Sequence, residues 1–85
     1  MKLNKNYAIS NVMDNTILIN IKDVNSSIIK LNETSKCIVE GIIKGLSKEE
    51  IINDMLNKYD IDKDTLKKDY DSLIERLKRD NIIDD

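Results

Sequence analysis

The chain has 85 residues, with 14 Lys and Arg against 16 Asp and Glu for a formal charge of −2, and it contains no histidine. That length closes one modest core, burying about 60–65% of the surface an unfolded chain would expose, so a single domain over residues 1–85 is expected. The acidic balance disfavours generic attraction to nucleic acid, and no apolar run approaches the ~20 residues of a membrane span.

The missing histidine removes the usual general base near neutral pH and the commonest metal ligand. Cys37 is the only cysteine, so neither an internal disulfide nor a Cys-based metal site is expected, and its place beside Ile38 and Val39 reads as a small buried residue. There is no Gly-rich phosphate loop, no G-x-S-x-G and no CxxC. The remaining carboxylates alternate with lysines in the manner of a solvated surface. Catalysis, a metal and a cofactor are therefore not expected, and the chain is expected to stay in the cytoplasm.

Asn6 to Met13 reads as a first strand, with Tyr7 and Ile9 on one face and Ala8, Ser10 and Val12 on the other. Asp14-Asn15 offers two residues that tolerate left-handed backbone and suits a hairpin turn. Thr16 to Ile21 is the second strand, with Ile17, Ile19 and Ile21 alternating against Leu18 and Asn20. After Lys22-Asp23-Val24-Asn25, a third strand is expected from about Ser26 to Leu31. Sequential hairpins make a three-stranded meander, which leaves the third strand at an edge. Its outer side would then present unpaired N–H and C=O groups, a template for a strand from another molecule.

From Asn32 the apolar spacing becomes helical. Asn32 suits a cap for a helix from about Glu33 to Lys44, with Cys37, Ile38, Ile42 and Ile43 inward. Gly41 lies inside it at a cost of about 1 kcal/mol relative to Ala, which points to close packing, and Gly45 suits the left-handed terminating position. Ser47-Lys48-Glu49-Glu50 is a capping box, with Leu46 stapling onto Ile51. Its helix carries Ile51, Ile52, Met55, Leu56 and Tyr59 on one stripe and ends near Asp60. A third helix starts at Asp62 and runs to about Arg79, with Leu66, Tyr70, Leu73, Ile74 and Leu77 on one face. Ile82 and Ile83 are expected to fold back onto the sheet, and Asp84-Asp85 to fray.

The order is β-β-β-α-α-α, a winged-helix-like α+β fold, and the sequence resembles the PqqD-like proteins, also called RiPP precursor peptide recognition elements (RREs). The resemblance rests on Tyr7 opening the first strand, Leu31-Asn32-Glu33-Thr34 at the strand-to-helix junction, and Gly45-Leu46-Ser47-Lys48-Glu49-Glu50-Ile51 in the link. It continues through Asp69-Tyr70-Asp71-Ser72-Leu73-Ile74-Glu75-Arg76-Leu77 and Asn81-Ile82-Ile83. It spans nearly the whole chain. This sequence departs from the family pattern at Ile38 and Val39, where an aromatic residue is frequent, and at Asn81, where Gly is frequent.

The resemblance implies a non-catalytic module that captures the leader segment of a ribosomally synthesised precursor peptide. It would present that peptide to a modifying enzyme: a radical-SAM enzyme, a cyclodehydratase, a dehydratase or a leader protease. The edge strand supplies the physics, through main-chain bonds along Ser27, Ile29 and Leu31. Ile28, Ile29 and Lys30 are expected as one wall of a groove, and Lys67, Tyr70, Ile74 and Leu77 of the third helix as the other. Lys67 and Lys78 would pair with acidic leader residues. Ile29, Leu31 and Leu77 also read as core, and the lysines as ordinary solvated charges. A winged-helix DNA-binding or transcription-regulating domain is the alternative reading, disfavoured by strands that precede the helices and by the charge balance. A monomer or weak dimer is expected, and an edge strand paired with its own copy remains a third possibility.

Overall fold

The computed structural model describes residues 1–23, 25 and 28–84. Its elements in chain order are β1 (Lys2–Leu3), β2 (Tyr7–Val12), β3 (Asn15–Asn20), β4 (Ile29–Leu31), α1 (Glu33–Ile43), α2 (Lys48–Lys58), α3 (Lys63–Arg79) and β5 (Ile83–Asp84). β2, β3 and β4 form a three-stranded antiparallel meander in that order. The expected winged-helix-like α+β order of sheet then three helices is what the chain adopts.

Register explains which face is buried. Ile9, Leu18 and Ile29 are successive cross-strand partners, as are Thr16 and Leu31, and Leu18, Ile29 and Leu31 are buried. The alternate row, with Ser10, Ile17 and Lys30 aligned, faces away. The hairpin turn lies one residue earlier than expected: Val12 pairs with Asn15, so Met13-Asp14 makes the turn, with Met13 at φ 57° and 95% exposed. A turn at Asp14-Asn15 would set Ile9 opposite Asn20 and cost Leu18 its apolar partner. Cross-strand packing therefore prevails over the local preference of Asn for left-handed backbone. The third strand is shorter than expected in its described part, and Ser26 and Ser27 lie outside the described residues.

The helix ends follow the sequence closely. Asn32 Oδ1 accepts from Ser35 N–H at 2.8 Å, Ser47 and Glu50 complete the capping box, and Asp62 Oδ2 accepts from Thr65 N–H at 3.2 Å. Gly45 takes φ +82° after α1, where Leu46 N–H bonds back to the Gly41 carbonyl. Asn81 takes φ 58° after α3, with Ile82 N–H donating to the Leu77 carbonyl. Inside α1 the buried set is Ile38, Val39, Gly41 and Ile42, whereas Ile43, expected inward, is half exposed. α1 and α2 meet at Gly41, where a Cβ would lie 2.6 Å from Ile51 Cγ1.

The closing segment does not join the main sheet. Ile83 pairs with Leu3, and Asp84 with Lys2, in a separate two-stranded ladder. Ile82 and Ile83 are buried there in the same core as all three helices. A two-residue strand at Lys2–Leu3 has no periodicity for a sequence reading to detect.

Candidate functional site

What this fold leaves free is backbone. Among the described residues β4 pairs with β3 alone. In an antiparallel strand alternate residues turn their N–H and C=O away from the partner, so the far side of β4 is an unpaired edge. β2 is the other edge of the sheet.

The side chains around β4 divide sharply. Ile28 is 60% exposed and Lys30 is exposed, so both stand beside the free edge. Ile29 and Leu31 point inward and share one buried cluster with Tyr70, Ile74 and Leu77 of α3. β4 and α3 thus contribute side chains to one filled core, while the helix that β4 touches directly is α1. Leu77 is fully buried and Tyr70 is 3% exposed, so neither stands free as a groove wall, contrary to the expectation. The helical stripe told which residues point inward, and the protein's own apolar groups already occupy that space. Lys67 is exposed and borders a cleft of about 420 Å³ with Lys48, Asn53 and Lys63, on the side of α3 that meets α2. Lys78 is exposed. Ser27 lies outside the described residues.

Tyr70 carries the one polar anomaly near this region. Its Oη is buried and has no hydrogen-bond partner among the described residues, which costs about 1–3 kcal/mol. Burial pushes its pKa up; Asp71 adds to the rise, and Lys48 and Lys78 oppose it. Lys48 stands over the ring at 5.5 Å from the centroid while bonding Asp71 Oδ1 at 2.8 Å. Reading the sequence placed Lys48 only inside a capping box. Its contact with α3 spans 23 positions, beyond the reach of any local pattern.

At the other end of β4, Cys37 and Tyr59 join α1 to α2 through an Sγ–Oη contact of 3.3 Å. That hydrogen bond, with burial second, pushes the Tyr59 phenol up to about 12. Among the described residues no group of His, Cys, Asp and Glu is placed to hold a metal ion, and no helix is long and apolar enough to cross a membrane.

Comparison with known proteins agrees with this architecture, an α+β fold whose sheet ends in an open strand. The model of the family described as coenzyme PQQ synthesis protein D (PqqD) matches residues 15–83. The chain belongs to the PqqD family. No curated protein sequence matches it. Among solved structures it is similar to TbiB1 in complex with the TbiA(beta) leader peptide, with a TM-score of 0.80 at 18% identity, over 96% of this chain and 93% of that one. It is also similar to lasso peptide synthetase B1 complexed with the leader peptide, with a TM-score of 0.79 at 18% identity, over 93% and 91%.

Proposed function

We propose that the protein is a non-catalytic module that captures the leader segment of a ribosomally synthesised precursor peptide and presents it to a modifying enzyme. The observation that carries this is the unpaired edge of β4, in a fold shared with two proteins whose structures hold leader peptides. The leader adds antiparallel to β4, with affinity from main-chain hydrogen bonds. β4 suits this better than β2 because Ile29 and Leu31 are buried in the same core as Tyr70, Ile74 and Leu77 of α3, whereas Tyr7 and Ile9 of β2 are only half-buried. A fourth strand there extends the three-stranded sheet.

Specificity comes from leader side chains that meet Ile28 and Lys30 beside the edge and exposed residues of α3 such as Lys67 and Lys78, while Tyr70, Ile74 and Leu77 stay buried in the core. The main-chain path runs through Ser27, Ile29 and Leu31. Lys67 and Lys78 pair with acidic leader residues, each pair contributing about 0.2–1 kcal/mol at these exposed positions. The receiving enzyme is of the radical-SAM, cyclodehydratase, dehydratase or leader-protease kind, and the module works as one domain, a monomer or weak dimer in the cytoplasm.

The test is titration of isotope-labelled protein with a leader peptide encoded by a short reading frame beside its gene. Amide shifts are expected along Ile28–Leu31 and along Tyr70–Lys78. Shifts confined to β2 would move the site to the opposite edge. Absence of binding at millimolar peptide, with retention of duplex DNA at low salt, would replace peptide capture by the nucleic-acid reading.

A further inference from the structure

A second surface lies at the opposite edge of the sheet. Leu3, Tyr7, Ile9, Ile42 and Ile43 line an open groove of about 880 Å³ between β1, β2 and the last turn of α1. Ile42 and the half-buried Leu3, Tyr7 and Ile9 make an apolar floor, and Ile43 stands 50% exposed on its wall. The charged residues that line it are Lys2, Lys5 and Lys44, with no Asp or Glu among the described lining residues. That is a local reversal of sign in a chain where acids outnumber bases. Lys2 faces Asp84 across the β1–β5 ladder, and no ion pair joins them among the described residues.

An apolar floor under a rim of one sign selects a partner that offers apolar side chains flanked by the opposite charge. A phosphate backbone satisfies the rim but leaves the floor wet. A second copy docked face to face would set lysine against lysine, because a two-fold interface matches each patch with itself. We propose that this groove docks an acidic amphipathic segment of a second protein. β2 and β4 are separated by β3, two strand spacings or about 10 Å. The groove therefore stays open while a peptide occupies β4, and the molecule can hold two chains at once. The two surfaces share no residue, so either reading can fail without the other.

The experiment selects a random-peptide display library on the immobilised full-length protein and titrates the enriched peptides in solution. Enriched sequences are expected to combine Asp or Glu with Leu, Ile or Phe. Their affinity is expected to fall about tenfold or more with Ile43→Glu or with Lys44→Glu, a loss typical of groups at the contact. It is expected to fall again in about 0.5 M NaCl, where rim charges are screened. Lys68→Glu, on the exposed side of α3, is the control for general charge and is expected to leave binding unchanged. Both groove positions are exposed, and an unaltered far-UV circular dichroism spectrum of the variants establishes that they fold. Neutral or basic winners, no enrichment, equal weakening by Lys68→Glu, or acidic peptides whose amide shifts map to Ile28–Leu31 would each overturn the proposal. So would sedimentation as a dimer that Ile43→Glu dissolves, since the groove would then belong to a second copy.

Discussion

The missing side chain at Gly41 decides how near α1 comes to α2. A Cβ there would fall 2.6 Å from Ile51 Cγ1 and 2.9 Å from its Cδ1, and Ile51 is itself buried and β-branched, with little rotamer freedom in a helix. Gly41→Ala removes a helix-propensity penalty of about 1 kcal/mol, yet the overlap outweighs it, and a net loss of about 1–3 kcal/mol in urea unfolding is expected. A gain would mean that Ile51 swings clear. Tyr70 presents the opposite case, an atom too many. Its hydroxyl is buried without a partner, so Tyr70→Phe is expected to leave stability unchanged or raise it by about 1 kcal/mol. A clear drop in melting temperature would show that an ordered water satisfies the hydroxyl.

The helix boundaries were the most legible elements, because caps are local: Asn32, Ser47 with Glu50, Asp62 and Gly45 each act within a few residues. Asn81 extends the same logic. It holds φ 58° where α3 ends and the chain turns into β5, a conformation that costs most side chains about 1–2 kcal/mol. Asn81→Ala is expected to lose about 1 kcal/mol while Asn81→Gly holds or gains, compared by thermal unfolding. Equal effects would mean that the Asn side chain, not its backbone, matters there. What sequence could not yield was pairing at a distance. The β1–β5 ladder joins Lys2 to Asp84, and the Met13-Asp14 turn is imposed by Leu18 finding Ile9. The free edge of β4 was legible because the last strand of a meander has only one neighbour. The groove walls were not, since helical spacing marks Tyr70, Ile74 and Leu77 as inward without telling whether the protein itself fills the space they face.

At the scale of the whole molecule, surface charge contributes little to holding the fold. The ion pairs Lys36–Glu40, Lys48–Asp71 and Lys58–Asp54 join exposed side chains, each contributing about 0–1 kcal/mol. Alkali is the more telling stress. Tyr59 is pushed up to about 12 from an ordinary value of 10.0, and burial raises Tyr70 in the same direction. A phenol whose pKa is raised by folding stabilises the folded state fully below the unfolded pKa, and that stabilisation is lost as pH climbs through the folded one. The urea midpoint is therefore expected to fall between pH about 10 and about 12, with a shallower fall in Tyr59→Phe; parallel curves would mean the Cys37 contact is not kept in solution. The β1–β5 ladder has a further consequence for the path of the chain. Lys2 and Asp84 are cross-strand partners, about 4.5–5.5 Å apart at their Cα atoms, so residues 2 to 84 leave and return to nearly one point, and everything between them hangs from that one short ladder.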